Sequence, residues 1–174
     1  MACSLDGFIA GPDDDLSFLQ DAPPPSELDV HDDAVLTFEG FLGQVGAMLM
    51  GRNTHDVVKG FGVWPYGDMP VLVPTHRPMD PAADTVTAVS GDIGDLLARA
   101  QAAAGDRDVY LDGGAVIHQA LNAGLVDEMC VTLVPTLLGG GVRLFDGLIQ
   151  KSQWAFVGHA RMGHMVQLTL RPVR

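Results

Sequence analysis

The segment from Asp108 to Gly124 constrains the fold more than any other part of this sequence. Asp108-Val109-Tyr110-Leu111 reads as a short strand, and it runs without a linker into Asp112-Gly113-Gly114. Residues 115–123 then place Val116, Ile117, Ala120 and Leu121 on one helical face, and Gly124 supplies the C-terminal stop. A strand that turns through two glycines straight into a helix is the unit of an α/β sheet, which binds ligands beyond the C-terminal ends of its strands.

The same alternation recurs along the chain. Ala47-Met48-Leu49-Met50 is a short buried strand, followed by Gly51-Arg52-Asn53-Thr54 and a helix to about Val58. Pro70 to Val73 and Thr85 to Val89 are the next strands. Asp92 then caps a helix whose Ile93, Leu96, Leu97 and Ala100 fall at i, i+3, i+4 and i+7. Upstream, residues 1–10 read as the end of a strand entering a glycine turn, residues 11–15 as a loop, and Pro23-Pro24-Pro25 as a stiff surface connection. Asp32 and Asp33 favour a helix start, with Val35, Leu36, Phe38, Phe41 and Leu42 on its apolar face and an end near Gly43 or Gly46. Met129 to Val134, Trp154 to Ala160 and Met165 to Leu170 read as strands, the last two as a hairpin. The expected architecture is a three-layer α/β fold: a mostly parallel central sheet, an antiparallel C-terminal hairpin and helices on both faces. With 174 residues, 47% of them hydrophobic, the chain is expected to form one domain that buries a full core without disulfides or a structural metal.

Charge narrows the partners. Twenty-two acids against ten Lys and Arg give −12, which argues against general affinity for nucleic acid or anionic membrane and points to a small molecule. Residues 1–51 hold ten of the acids and no Lys or Arg, so groups that bind an anion must come later, with Arg52, Lys59 and Arg77 as the first candidates. Cys3 and Cys130 form no C-x-x-C, the N-terminus lacks a basic stretch followed by a long apolar run, and no segment approaches a membrane span of ~18 apolar residues. A cytoplasmic protein is expected.

Three strand-end loops carry candidate chemistry. Asp112-Gly113-Gly114-Ala115 offers glycines and helix N–H groups to an anion, although a tight turn accounts for it equally well. Gly51-Arg52-Asn53-Thr54 repeats that arrangement with a cation, and Pro74-Thr75-His76-Arg77-Pro78 adds a third loop with a cation and a hydroxyl. One nucleotide cleft is more economical than three unrelated turns, yet neither G-x-G-x-x-G nor G-x-x-x-x-G-K-[ST] occurs. The six histidines form no H-E-x-x-H, there is no G-x-S-x-G, and no metal site is expected. His118 reads as a helix-face residue and Asp13, Asp14 and Asp15 as a solvated turn. Trp64 and Tyr66 suit either the wall of a planar substrate site or ordinary packing.

Taken in order, Ser4-Leu5-Asp6-Gly7-Phe8-Ile9-Ala10-Gly11, Gly51-Arg52-Asn53-Thr54, Val73-Pro74-Thr75-His76-Arg77-Pro78, Asp112-Gly113-Gly114-Ala115, Gly124-Leu125-Val126-Asp127-Glu128 and the segment from Pro135 to Phe145 span nearly the whole chain. The set resembles the dihydrofolate-reductase-like superfamily, in the branch similar to the reductase domain of the bifunctional riboflavin-biosynthesis deaminase/reductase. The resemblance implies a dihydrofolate-reductase-like fold and an NADPH-dependent reductase that transfers hydride to a small heterocyclic, imine or masked-carbonyl substrate. It further implies that Gly51, Arg52, Asn53 and Thr54 contact cofactor phosphates, that Thr75, His76 and Arg77 lie near the adenosine 2′-phosphate, and that Gly113, Gly114 and Ala115 meet the pyrophosphate. Asp6 matches a substrate-side carboxylate. Relatives in this branch are commonly dimers, and the apolar C-terminal strands with the run from Val131 to Leu138 offer a sheet edge for a homodimer.

Two departures qualify the match. Only three residues precede Ser-Leu-Asp-Gly, so either the first strand is short or the sequence starts late. No deaminase-type zinc pattern is present, so a place in riboflavin synthesis does not follow. The alternatives are a dihydrofolate reductase proper and a non-catalytic nucleotide-binding module. Asp6 has no basic neighbour in its segment, so as a partly buried catalytic carboxylate it is expected to have a raised pKa. The competing reading makes it a cap for the turn at Gly7 and Phe8.

Overall fold

The computed structural model describes residues 1–20 and 30–174, and the proline triplet at 23–25 lies outside the described residues. Two compact units emerge, one built from residues 36–123 and the other from 1–35 with 124–174.

The unit of residues 36–123 holds four parallel strands, β4 (Val45–Met50), β5 (Val71–Pro74), β6 (Val86–Val89) and β7 (Asp108–Asp112), in the order β6-β5-β4-β7. All six residues of β4 are buried, which is why that segment reads as a continuous apolar run without alternation. Successive side chains still take opposite faces. Leu49, Leu72 and Val89 pack on one side against Leu96 and Ala100 of α3 (Ile93–Ala104) and Val116 of α4 (Gly114–Asn122). Met48, Met50, Val71, Val73 and Val86 pack on the other against Trp64, Tyr66, Met69 and Met79. On that second side lie α1 (Phe38–Gln44), whose Phe41 meets Tyr110 edge-on at 4.7 Å, and α2 (Arg52–Lys59), whose His55 ring is 6.1 Å from Trp64. Helices therefore cover both faces, the three layers of a dihydrofolate-reductase-like fold.

The α3 face is the one the i, i+3, i+4, i+7 pattern predicts, and the Asp92 carboxylate accepts the Asp95 N–H at 3.0 Å as its N-cap. At its C-terminus α3 lies so close to β4 that a Cβ on Gly46 would collide with the backbone of Ala104. The first helix differs from expectation. It starts at Phe38, capped by Thr37 Oγ1 on the Gly40 N–H at 3.1 Å. Asp32 cannot begin it, because its N–H donates to the Arg161 carbonyl (2.9 Å) and its carboxylate accepts the Arg161 N–H (2.6 Å), which ties it to a sheet edge.

That edge belongs to the other unit. Its five-stranded sheet runs β1-β8-β11-β10-β3, with β1 (Ala2–Ser4) parallel to β8 (Met129–Val134) and the remaining pairs antiparallel. β10 (Trp154–Gly163) and β11 (Met165–Pro172) form the C-terminal hairpin, and β3 (Val30–His31) pairs with the end of β10. A separate ribbon joins β2 (Phe8–Ala10) to β9 (Val142–Arg143), with the Arg143 guanidinium 4.4 Å from the centre of the Phe8 ring. Asp13 and Asp14 lie in a short 3-10 turn, both at positive φ.

Candidate functional site

From β4 the chain steps outward to β5 and β6, and α3 then carries it back to β7 on the opposite side of β4. The direction of winding reverses at β4, and open α/β sheets bind ligands beyond the strand ends at such a reversal. Gly51 follows β4 and Gly113 follows β7, so two of the loops singled out by sequence meet at this point. The Gly51 N–H donates to the Asp112 carbonyl at 2.8 Å. Gly113 has φ +92°, and a Cβ there would strike Thr54 Oγ1 and approach Gly51 Cα to 3.4 Å. Conformation and close packing both require glycine at 113.

α2 and α4 begin directly after these glycines, and no side chain caps either N-terminus. Both N-termini present the positive end of the helix dipole, which suits an anion, although in α4 the Val116 N–H already donates to the Gly113 carbonyl at 3.1 Å. Gly114 is buried in the first turn of α4 and Ala115 is exposed. The third loop joins through side chains. Arg52 Nη1 donates to the Pro78 carbonyl at 2.9 Å and to Thr75 Oγ1 at 3.4 Å, and Arg77 Nη2 approaches Asn53 Oδ1 at 3.5 Å. His76 is exposed in that loop. Residues 51–54, 75–77 and 112–115 thus form one constellation at one end of the parallel sheet.

The two arginines differ in their freedom. Arg52 Nε is 2.9 Å from both carboxylate oxygens of Asp56, one helical turn on. Burial raises the Asp56 pKa, but hydrogen bonds from Arg52 and then His55 outweigh it, leaving the carboxyl below its usual range. Among the described residues Arg77 makes no ion pair, and its own N–H is held by Thr75 Oγ1 at 3.1 Å.

Three further residues to which the sequence assigned no cofactor or catalytic role belong to this end of the sheet. Asp112 is only 9% exposed, and burial pushes its carboxyl up while the Gly113 N–H and the Tyr66 hydroxyl bond to it. Burial, followed by the Asp112 charge, raises the Tyr66 phenol in turn. An acid closing an apolar strand directly before two glycines was the available signal for Asp112. Nothing local marks Tyr66 as its partner, 46 residues earlier in the sequence. His55, fully buried on α2, is the third. Tyr66 and Trp64 stack edge-on at 5.0 Å within the core cluster, where the Trp64 indole N–H is buried without a partner among the described residues.

Asp6 lies in the other unit. Oδ1 accepts from Ser4 Oγ (2.6 Å) and the Leu138 N–H (3.0 Å), and Oδ2 accepts from the Gly139 N–H (2.7 Å). The expected raised pKa is corrected: the Ser4 hydroxyl first, then the Gly139 and Leu138 amides, hold the carboxyl down at about 2. In place of a cationic counter-charge, Asp6 is held by backbone donors 132 and 133 residues away. The Ser4 hydroxyl also accepts the Phe8 N–H at 2.9 Å, so Ser4, and not Asp6, closes the local turn.

Compared with known proteins, residues 1–168 match the model of the RibD C-terminal domain. The chain belongs to the RibD C-terminal domain family. Over 170 residues it is 28% identical to the uncharacterised protein YwjB of Bacillus subtilis (strain 168), covering 97% of this chain and 92% of that one. A solved structure from Shewanella sp. PV-4, assigned provisionally to riboflavin biosynthesis, superposes with a TM-score of 0.84 at 34% identity, covering 100% of this chain and 97% of that one. The deaminase/reductase of Thermotoga maritima shares the fold at a TM-score of 0.66 and 15% identity, with 99% of this chain matching 55% of that longer one. RibD of Acinetobacter baumannii behaves likewise at 0.62 and 17%, with 99% and 56% covered. Family and fold together support a reductase-like function in general terms. Among the described residues no helix is long and apolar enough to cross a membrane, and no group of three or more His, Cys, Asp or Glu is placed to hold a metal ion.

Proposed function

We propose that this RibD C-terminal domain protein is an NADPH-dependent reductase that transfers hydride to a small heterocyclic, imine or masked-carbonyl substrate. The observation that carries the reading is the meeting of loops 51–54, 75–77 and 112–115 beyond the strand ends at the reversal of winding. The donors there suit a dinucleotide: two uncapped helix N-termini for the pyrophosphate, the Thr54 and Thr75 hydroxyls, and the Arg77 guanidinium for a 2′-phosphate. The bound cofactor would supply the hydride. The chain's own part is to hold the phosphates, orient the ring and exclude water.

The assignment of Asp6 to the substrate rests on the family resemblance. Ionised at neutral pH, it would act there as a hydrogen-bond acceptor through Oδ2 and not as a proton donor. The family match over residues 1–168 supports reading both compact units as one reductase domain. Two free cysteines agree with a reducing, cytoplasmic setting. A homodimer through the C-terminal strands remains part of the proposal, to be read by light scattering at micromolar concentration.

The test is a fluorescence titration with NADPH, followed by absorbance at the reduced-nicotinamide band in the presence of flavin-pathway pyrimidines, dihydrofolate, quinones or imines. Binding with oxidation of NADPH by a pyrimidine or imine is expected. Turnover of dihydrofolate alone would make the protein a dihydrofolate reductase, binding without oxidation would make it a nucleotide-binding module, and no binding overturns the reading.

A further inference from the structure

Three side chains on one face of α2, Arg52, His55 and Lys59, grip the loop that follows β5, and a fourth, Asp56, braces Arg52 and His55. Arg52, His55, Asp56 and Lys59 fall at i, i+3, i+4 and i+7, which aligns them along one side of the helix. Arg52 Nη1 holds the Pro78 carbonyl (2.9 Å), and the Lys59 ammonium holds the Asp80 carbonyl (2.9 Å) and its carboxylate. His55 Nε2 accepts the Ala82 N–H at 3.2 Å, while Nδ1 lies 3.0 Å from Asp56 Oδ1. A backbone N–H can only donate, so Nε2 must be the bare nitrogen and Nδ1 must carry the proton that goes to Asp56. Both ring nitrogens are committed, and the ring is in one tautomer.

These attachments are unequal. The Arg52 and Lys59 contacts are exposed, and water competes for them. The His55 ring is 0% exposed and its bond to the Ala82 N–H is partly shielded from water, so its loss would leave that N–H without its protein acceptor. The loop so anchored carries Arg77, which has no ion pair among the described residues, whereas Arg52 is matched by Asp56.

We propose that His55 is a positioning residue for cofactor discrimination: as a neutral imidazole protonated on Nδ1, it fixes the 75–82 loop to α2 and so sets Arg77 for the 2′-phosphate of NADPH. The proposal rests on the reading of the site as an NADPH site. Losing His55 should therefore cost affinity for NADPH and spare NADH, which has no 2′-phosphate. A residue needed only for folding would weaken both.

The experiment uses the full chain, His55→Phe, which removes the acceptor, and His55→Gln, whose Oε1 can accept the Ala82 N–H. Dissociation constants for NADPH and NADH are measured by fluorescence, and amide exchange across residues 75–82 is followed in the ligand-free protein. In His55→Phe, Ala82 exchange should rise, NADPH affinity should fall by about tenfold or more, and NADH affinity should stay within about threefold. His55→Gln should restore most of both readouts. Unchanged Ala82 exchange, a parallel loss of both cofactors, or no rescue by Gln would overturn the proposal. Should His55→Phe fail to fold, nitrogen chemical shifts of His55 in the unaltered protein decide: protonated Nδ1 and bare Nε2 support the proposal, and a proton on Nε2 overturns it. A chain that binds neither dinucleotide overturns the proposed function and the discrimination role with it, while exchange at Ala82 separately reports whether His55 anchors the loop.

Discussion

Thr54 Oγ1 occupies the space that a side chain on Gly113 would need, which locks the loop after β4 against the loop after β7. Gly113→Ala adds that collision to a φ of +92° and should lower stability by about 1–3 kcal/mol. Placing Gly113→Ala in a Thr54→Ala background removes the collision but not the dihedral strain. Urea denaturation should therefore show the double variant more stable than the sum of the two single losses predicts. Simple additivity would mean that the two loops do not press on one another.

For Asp6 the expected result is a pH-dependent loss of stability with a defined sign. Its carboxyl is held at about 2, below the ordinary 3.8, chiefly by the Ser4 hydroxyl and the Gly139 amide. The stabilisation is fully present above the unfolded pKa and is lost as pH falls through the folded one. Asp6→Asn should melt below the unaltered protein at about pH 6, and the gap should shrink between pH 4 and 2. A gap that stays constant over that window would show that ionisation of Asp6 does not tie down the 138–139 loop.

Replacing the cap of α3 tests the helix that the sequence marks most clearly. Asp92→Ala removes the acceptor for the Asp95 N–H and should cost ~1 kcal/mol, a fall in Tm of about 2–4 °C for a chain of this size. Calorimetry reads it, and an unchanged Tm would place the start of α3 elsewhere.

Arg77→Ala should lower NADPH affinity by about 10- to 150-fold, as expected for one charge-assisted hydrogen bond of roughly 1.5–3 kcal/mol, and leave NADH affinity unchanged. Parallel titrations of the two dinucleotides check it. If NADPH affinity survives in Arg77→Ala and falls only in Arg52→Ala, the 2′-phosphate belongs to Arg52.

The alternation of short apolar strands with helices, the apolar stripe and cap of α3, the glycine turn after β7 and the C-terminal hairpin were all legible in the sequence. Each is built from short patterns among neighbouring residues, so propensity and periodicity suffice to read it. The three candidate loops were legible for the same reason, since each is a short run at a strand end. Only the strand order β6-β5-β4-β7 made them one constellation, because it alone sets Gly51 beside Gly113 and brings Arg52 to Thr75. Asp32 followed its sheet edge instead of starting a helix, since its pairing with Arg161 spans 129 residues. The charge state of Asp6, the pairing of Tyr66 with Asp112 and the tautomer of His55 were also decided by tertiary structure. Each depends on a hydrogen-bond partner or a depth of burial set by residues distant in the chain, and local composition carries no record of either.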